Sequence, residues 1–511
     1  MRLPSLALVA VVTSLSARPA FPQDLTVDTG GSAALIDQAL NHSEVMQTLQ
    51  YLADVIGPRL TGSAAARRAN DWTLERFQQY GLSAHLEPWK FGGTWTRGPL
   101  RARMTAPRDH DVTAASWAWA PGTGGVTRSG PVVRIDAGTP DSFALGRGRV
   151  KGAWVMTRPP SLVWNTDGPA MTAADSQRQR DFIRSVFTPF RDADSVTRAR
   201  MQQFSNDVPY LLWRAGALGI VFDAGKEHTL LTMSGSPNRI LPLPQIVVAH
   251  EDYAMFDRLL QTGTTPRLAV SISNTLTRDS VVQWNTVADI RGSEHPGEVV
   301  IVGAHLDSWD LGTGTTDNGT GAACTLEAAR IIVRSGLKPR RTIRFVLFTG
   351  EEQGLIGSRK YAEAHAADAD SIQAVLVLDN GTGAVTGQAL QGRADLEALW
   401  HAVLAPVARL GADSVVNRTK TGTDHLSFVP YGVPAFNFNQ LERGYNHTHH
   451  SQSDTYDMAI AADLMQASAV MAVSAFELAN LSGVIPRGER SAPTPVQAVK
   501  ISDSLLVNGL R

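Results

Sequence analysis

The hydrophobic and polar positions of this chain predict helices first and short strands afterwards. Residues 34–81 carry helical periodicity, which is interrupted by the Gly- and Pro-containing loop IGPRLTGS at 56–63. Apolar runs bounded by Gly and Pro follow at 150–159, 215–225 and 241–252, and this pattern is typical of strands. The first half of the chain is therefore expected to contain a helical start and a separate group of short strands.

From residue 285 onwards the pattern changes to strands that alternate with helices. Apolar runs predict four strands, which are EVVIVGAHLD (298–307), TIRFVLFTGE (342–351), AVLVLDNG (374–381) and VPAFNFNQ (433–440). Helical periodicity predicts helices at 321–336, 395–411 and 461–481, and Pro406 is expected to kink the second of them. This alternation predicts an α/β fold in which helices cover both faces of a parallel sheet.

The length of 511 residues exceeds that of one ordinary domain, and the apolar content of 43% allows a large core. A charged stretch at 172–207 lies among the short strands and predicts solvated helix. We expect a second domain to be inserted at 128–278. It would separate an N-terminal part at 24–127 from the main part at 279–485, with a C-terminal tail at 486–511.

The N-terminal residues 1–23 have the pattern of a signal peptide, with Arg2 before an apolar stretch from Leu6 to Leu15. This pattern predicts export to the periplasm or the exterior; the alternative is a buried N-terminal helix. No later segment has 18 uninterrupted apolar residues, so we expect no membrane span. The net charge is -1 and no basic stripe is visible, so nucleic acid is not an expected partner.

Cys324 is the only cysteine of the chain. One cysteine cannot form an internal disulfide, and it excludes a metal site built from several thiolates. Because Cys324 falls within the apolar pattern of the predicted helix 321–336, we expect a buried structural thiol.

Side chains that can bind metals follow the predicted strands at the points where the strands end. They are His305 and Asp307, Asp317 in a Gly/Thr loop, Glu351 and Glu352, Asp379, and the late group His447, His449, His450 and Asp454. Sites in such sheets form outside the carboxyl ends of the strands, so these side chains are expected to meet at one edge. Many carboxylates at one edge need protons or metal ions to compensate them, and His, Asp and Glu without Cys suit Zn²⁺ or a similar divalent ion.

The adjacent glutamates Glu351 and Glu352 gain different roles in such a site. One would bind a metal ion, and its neighbour would take a proton from a metal-bound water. With two ions present, one aspartate could bridge them. The sequence therefore predicts hydrolytic chemistry at the strand ends.

Five motifs in order, HLDSWD, TDNGTG, GEEQGLIGS, LDNG and HHSQSDT, resemble those of metallopeptidase family 28, the co-catalytic zinc exopeptidases. The resemblance is strongest to the carboxypeptidase Q-like members, and IGPRLTGS and a middle region similar to a protease-associated domain extend it over most of the chain. It implies a zinc-exopeptidase fold of the aminopeptidase/phosphorylase-hydrolase-like type. Such a fold has a mixed, mainly parallel sheet with helices on both faces, here with an inserted protease-associated domain.

The resemblance also implies a ligand set for two Zn²⁺ ions per chain. His305 and Asp379 would hold one ion, Glu352 and His450 would hold the other, and Asp317 would bridge both. We take His450 as the ligand because Asp454 follows it four residues later, as in the His-x-x-x-Asp-Thr ending of the family.

Catalytic roles follow from the same resemblance. Glu351 would be the general base and later the general acid towards the leaving amine, and Asp307 would orient the ring of His305. His449 stands where many relatives carry tyrosine, and it would either donate a hydrogen bond to the oxyanion or be a solvated histidine. No metal role is expected for His447, a loop residue, or for His425, which is structural or lines the pocket. Asp310 is likewise given no metal role.

The function implied is that of an exported di-zinc exopeptidase with a peptide substrate. It would hydrolyse dipeptides or remove the N-terminal residue of short peptides, through a metal-bridging water activated by Glu351; carboxypeptidase action on longer peptides ranks below these. The alternatives are a catalytically inactive binding protein on the same fold and a glutaminyl cyclase-like acyl transferase with one zinc ion. The middle domain would cap or neighbour the cleft. The stretch 172–207 would be a lid, the contact of a homodimer, or a solvated face.

Overall fold

The computed structural model describes residues 30–163, 192–237 and 241–493, together with isolated positions between 172 and 184 and Ser502. The predicted signal peptide at 1–23 lies outside the described residues, as do most of the tail after 493 and a smaller part of the charged stretch 172–207. Within the described part, every helix is too short or too polar to cross a bilayer.

Two large sheets and a short ribbon contain the strands. In chain order the strands are β1 Ser83–Phe91, β2 Trp95–Thr96, β3 Leu100–Ala106, β4 His110–Asp111, β5 Ala114–Ser116, β6 Arg128–Arg134, β7 Trp154–Met156, β8 Gly219–Asp223, β9 Gln245–Val248, β10 Arg267–Ile272, β11 Thr275–Leu276, β12 Val281–Ile290, β13 His295–His305, β14 Arg341–Phe348, β15 Ile372–Val377, β16 Val385–Ala389, β17 Ser414–Val416 and β18 Ala435–Gln440.

The α-helices of the described residues flank these sheets. They are α1 Ser32–Asn41, α2 Val45–Gln50, α3 Ala64–Gln79, α4 Pro140–Gly146, α5 Ser195–Arg214, α6 His250–Gln261, α7 Thr320–Ser335, α8 Ile356–Ala364, α9 Glu397–Leu404, α10 Tyr445–Thr448 and α11 Ala461–Asn480. Short 3₁₀ or π turns occupy Tyr51–Ile56, Arg147–Arg149, Thr315–Gly319, Ala366–Ser371, Ala394–Leu396, Ala405–Leu410, Asp424–Ser427 and Tyr456–Met458.

The first large sheet has the strand order β1-β12-β14-β13-β15-β18-β16-β17. Its four central strands, β14, β13, β15 and β18, are parallel to one another. On either side of them, β12 is antiparallel to β1 and β14, and β16 is antiparallel to β18. This sheet confirms the prediction of a mixed, mainly parallel arrangement. Because the four central strands run in one direction, their carboxyl ends lie along one edge.

Helices cover both faces of this sheet, as predicted, but unequally. The larger core lies on one face, where Val300, Phe345 and Leu376 pack against α1, α2, α3, α7, α9 and α11. Cys324 of α7 is fully buried in this core, which confirms the expected buried thiol. The predicted helix 395–411 packs here as well. It is α-helical only as far as Leu404 and continues as a 3₁₀ turn that contains Pro406.

The smaller core lies on the opposite face of the sheet. Side chains that alternate with those of the larger core point here, among them Ile301 of β13 and Val346 of β14. Tyr361 and Ala362 of α8 cover them, together with Phe428, which follows the 3₁₀ turn Asp424–Ser427. Since successive strand residues are buried on opposite faces, the central strands read as continuous apolar runs in the sequence.

The second large sheet has the strand order β4-β3-β10-β6-β7-β8-β9-β5, and the part of the chain that forms it is here called the second domain. Its strands include β3, which begins at Leu100 and precedes residue 128, because β3 pairs with β10. In the ribbon, β2 of the segment that enters this domain pairs with β11 of the segment that leaves it. The described part of the predicted stretch 172–207 contributes to α5, whose first turns are exposed.

Candidate metal centre

The carboxyl ends of the four parallel strands carry the side chains predicted as metal ligands. His305 is the last residue of β13, Glu352 follows β14, and Asp379 follows β15. His450 comes after α10, beyond the end of β18. Since parallel strands end at the same edge, the fold brings these side chains together with Asp317, which lies in the turn before α7.

Asp317 lies at the centre of this cluster, and its two carboxylate oxygens face different neighbours. Oδ1 is 3.3 Å from Nε2 of His305, which is itself 3.3 Å from Oδ1 of Asp379. Oδ2 is 3.4 Å from Nε2 of His450, which is 3.0 Å from Oε2 of Glu352. The predicted ligands therefore form two groups that share Asp317.

The donor set fits divalent cations such as Zn²⁺. Imidazole nitrogens and carboxylate oxygens are common ligands of this ion, and ligand atoms of His305, Asp317 and Asp379 lie within 4.8 Å of one another. Oδ2 of Asp317 and Oε1 of Glu352 are buried without a hydrogen-bond donor among the described residues. Buried oxygens without donors are costly, and a cation would compensate them.

A tight turn over Thr315–Gly319 positions Asp317. The buried carboxylate of Asp454 accepts the backbone N–H groups of Thr316 at 2.6 Å and of Asp317 at 3.2 Å. Gly314, just before the turn, has a left-handed φ of 65°, and a Cβ there would lie 2.2 Å from a neighbouring side chain. Burial raises the pKa of Asp454 to about 7, although the hydrogen bond from Thr316 lowers it. Asp454 thus has a structural role that its place in the sequence motif did not reveal.

Asp307 supports both His305 and the pair of glutamates. Nδ1 of His305 lies 3.0 Å from the main-chain oxygen of Asp307 and 3.7 Å from its carboxylate. The carboxylate accepts the backbone N–H groups of Glu351 at 3.3 Å and Glu352 at 3.4 Å, and the hydroxyl of Thr61 at 2.8 Å. Because a carbonyl oxygen only accepts, it holds a proton on Nδ1 and leaves Nε2 of the neutral ring free to bind a cation.

The two glutamates are adjacent and half-buried, and their surroundings are unequal. Burial raises the pKa of Glu351 well above its usual range, although the charge of His305 opposes this. Burial also raises the pKa of Glu352, and the negative charge of Asp317 adds to the effect. Asp424, which the sequence did not single out, is fully buried; burial raises its pKa to about 7, and its charge contributes to the raised pKa of Glu351.

Two adjacent histidines and a tyrosine complete the cluster. The rings of His449 and His450 stack at 3.7 Å, and Nε2 of His449 lies 3.9 Å from Oδ2 of Asp317. His449 can therefore also reach a cation beside Asp317, but His450 lies closer to both Asp317 and Glu352. Burial lowers the pKa of His449 to about 4. Tyr445, which the sequence did not single out, lies near Asp317, whose negative charge adds to the effect of burial in raising the pKa of the tyrosine, and its ring packs against that of His449 at 5.1 Å.

Arg59, in the loop IGPRLTGS, is fully buried behind the strand ends. Its guanidinium donates to the main-chain oxygens of Leu306 at 2.7 Å, Thr313 at 2.9 Å and Gly314 at 2.6 Å. Burial lowers its pKa to about 10, against the opposing field of nearby carboxylates such as Asp454. The arginine thus fixes the two loops that carry Asp307 and Asp317, and its Gly/Pro-containing sequence context gave no indication of this.

The remaining sequence candidates lie outside the ligand groups. Nε2 of His447 is 3.3 Å from Oε1 of Glu227 in the second domain. His425 is buried, and burial lowers its pKa to about 4. Asp310 forms an ion pair with Arg97 at 2.8 Å. These three side chains therefore have protein partners or a buried setting away from the predicted ligands.

A cavity of about 420 Å³ opens onto the cluster. Its lining includes Asp317, Glu351, Glu352, Asp379 and His450, and it continues past Leu355 to the loop 421–423. Among the described residues that line it, none is lysine or arginine. The cavity is large enough for a small peptide and is rich in acidic groups.

This chain was compared with protein families, with known proteins and with solved structures, and the matches below agree on one peptidase family and one fold. Residues 285–475 match the model of Peptidase family M28. Carboxypeptidase Q of Mus musculus is 30% identical over 446 residues, which cover 86% of this chain and 87% of that protein. A solved Peptidase M28 precursor from Shewanella amazonensis superposes with a TM-score of 0.71 at 23% identity, covering 91% of this chain and 98% of that chain. The zinc aminopeptidase of Bacillus subtilis superposes with a TM-score of 0.57 at 18% identity, covering 85% and 94%.

Proposed function

Because the chain belongs to peptidase family M28 and is a metallo-exopeptidase, we propose that it is an exported enzyme that uses two zinc ions to remove the N-terminal residue of dipeptides and short peptides. The observation that carries this proposal is the position of Asp317, whose two oxygens face His305 and His450 separately. Export rests on the signal-peptide pattern of residues 1–23.

In this proposal His305 and Asp379 would hold one ion, Glu352 and His450 would hold the other, and Asp317 would serve both. Bound zinc ions would supply Lewis acidity, which lowers the pKa of water and stabilises negative charge on the substrate carbonyl oxygen. The choice of zinc is supported by the donor set and by the similarity in fold to a protein described as a zinc aminopeptidase.

Glu351 is the proposed general base. It lines the cavity beside the ligand groups, and burial raises its pKa, so that it holds a proton more tightly than an exposed glutamate. After taking the proton of the attacking water, the same carboxyl would deliver it to the nitrogen of the leaving amine. Asp307 keeps Glu351 in place, because its carboxylate accepts the backbone N–H of Glu351.

His449 is a proposed hydrogen-bond donor to the substrate carbonyl oxygen. Its side chain is 46% exposed at the cavity and lies on the Asp317 side of the cluster. Because burial lowers its pKa to about 4, the ring is neutral at physiological pH and keeps one N–H for donation.

The cavity lining favours recognition of a substrate amine over recognition of a substrate carboxylate. A free carboxylate in a partly buried site usually pairs with arginine or lysine, and no described residue of the lining is either. This lining favours aminopeptidase action on dipeptides and short peptides over carboxypeptidase action, although the mouse relative is named a carboxypeptidase.

The experiment compares the wild-type chain with Glu351→Gln and with the control Glu363→Gln, which changes an exposed glutamate of α8. Bound zinc is measured together with hydrolysis of aminoacyl amides, dipeptides and N-acetylated dipeptides. We expect two zinc ions in all three proteins, cleavage of the first two substrate classes by wild type and control, and no cleavage by Glu351→Gln. Cleavage of only the N-acetylated substrates would replace the aminopeptidase proposal with a carboxypeptidase one. Failure to cleave any of them would overturn the exopeptidase proposal.

A further inference from the structure

The loop that carries His449 and His450 is held by a lysine of the second domain. Lys226 follows β8, and its Nζ lies 2.7 Å from the main-chain oxygen of Asn446, 3.3 Å from that of His447 and 2.6 Å from that of His449. An ammonium group has three donors, so these three oxygens use its full capacity. Lys226 therefore holds the backbone of this loop in place.

Main-chain and amide hydrogen bonds extend this contact along the loop. The N–H of Met233 donates to the main-chain oxygen of His450 at 2.7 Å. The N–H of Leu231 donates to Oε1 of Gln452 at 2.8 Å, and Nε2 of Gln452 donates to the main-chain oxygen of Thr229 at 3.1 Å. Residues 226–233, called the clamp loop below, thus hold both sides of His450.

The backbone of His450 needs such support. Its φ is 59°, in the left-handed region that residues with a Cβ rarely adopt. A conformation of this kind persists only where surrounding contacts fix it. The oxygens of His449 and His450, on consecutive peptide groups, both accept hydrogen bonds from the clamp loop.

We propose that the clamp loop positions His450, so that the second domain forms part of one metal position and not of the other. This inference rests on the proposed two-zinc function. His305 and Asp379 are carried by β13 and β15 of the first sheet, and no hydrogen bond among the described residues joins them to residues 226–233. Removing the clamp should therefore weaken the His450 position selectively.

The first test uses metal-free protein and needs no assumption about metal number. Lys226→Met removes the ammonium group and keeps a long side chain, while Lys151→Met changes an exposed lysine of the same domain. Amide hydrogen exchange is measured over residues 444–452. We expect exchange at least about 10-fold faster in Lys226→Met and unchanged exchange in Lys151→Met, because opening of the loop sets the rate. Equal exchange in wild type and Lys226→Met would overturn the proposal.

The second test is a zinc titration of the same three proteins and of Gln452→Leu, which loosens the clamp independently if Lys226→Met does not fold. The affinity for one zinc ion should fall about 10-fold or more in the clamp variants, while the other is retained, as expected for a lost supporting contact. Lys226→Arg, which keeps a cationic donor, should recover part of the affinity. Equal loss of both ions together with a lower Tm would mean general destabilisation and would also overturn the proposal. Fewer than two ions in the wild type would contradict the proposed function instead, and the exchange measurement would still decide the role of the clamp.

Discussion

Nδ1 of His305 lies closer to the main-chain oxygen of Asp307, at 3.0 Å, than to the carboxylate of the same residue, at 3.7 Å. The side chain of Asp307 is thereby available to the turn that carries Glu351 and Glu352. The family resemblance implies that Asp307 orients the ring of His305. Its carboxylate also contacts the turn that carries the proposed base, Glu351.

Replacing Asp307 by asparagine should separate these two contacts. The main-chain oxygen remains, so His305 should still bind zinc, whereas the turn of the glutamates loses a charged acceptor. We expect kcat/KM to fall about 10- to 100-fold, the usual effect of removing a group that supports a metal site, with the zinc content unchanged. Asp310→Asn is the control, since Asp310 pairs with Arg97 instead. Loss of zinc from Asp307→Asn would show that the carboxylate, not the main-chain oxygen, fixes His305.

Zinc content should depend on which of the ligand groups is changed. Asp317→Ala removes the residue shared by both groups, so both ions should be lost on dialysis. Asp379→Ala and Glu352→Ala each change one group, and each protein should retain one ion more tightly than the other. The measurement is metal per chain at a fixed free zinc concentration. Retention of one ion at wild-type affinity by Asp317→Ala would contradict bridging.

Arg59→Met should destabilise the fold strongly. The substitution leaves several buried main-chain oxygens without a donor, each at a cost of about 1–3 kcal/mol. We expect a clear decrease in the midpoint of chemical unfolding, measured on the metal-free protein. Arg68→Met, at an exposed position on α3, should change the free energy of unfolding by less than about 1 kcal/mol. Similar midpoints for the two variants would mean that the buried guanidinium contributes little.

Cys324 should not react with thiol reagents in the native protein. It is fully buried, and burial raises its pKa to about 12, so thiolate is scarce at a pH of about 8. We expect labelling by a disulfide reagent only after the protein is unfolded in denaturant. Rapid labelling of the native chain under the same conditions would show that the larger core around Cys324 opens readily.

The sheet and its predicted ligands were recognisable in the sequence because both depend on local features. An apolar, β-branched run followed at once by His305 or Asp379 marks a strand end, and parallel strands bring such ends together without further information. The strand limits were less accurate: β14 ends at Phe348, before the glutamates, since Gly350 turns the chain with a left-handed φ of 79°.

Long-range contacts explain what the sequence did not predict. β3 alternates charged and apolar residues in LRARMTA, and it belongs to the second sheet only through its pairing with β10. Arg59 and Lys226 act through main-chain oxygens of distant segments. Every residue has a main-chain oxygen, so no pattern of side chains in the sequence indicates which oxygens accept these hydrogen bonds. Tyr445 lies in the short helix α10 and Asp424 in a 3₁₀ turn, and the direction of both is set only by the folded chain.

Trp309 lies in edge contact with the ring of His450 at 5.8 Å, and Trp119 of the second domain lies 6.4 Å from Trp309. This aromatic contact reaches from one domain to a proposed ligand in the other. Indole emission depends on the charge and distance of neighbouring rings. The part of the ultraviolet emission that is lost in Trp309→Phe, one of 11 tryptophans in the chain, should therefore report the occupation of the His450 position without any added label.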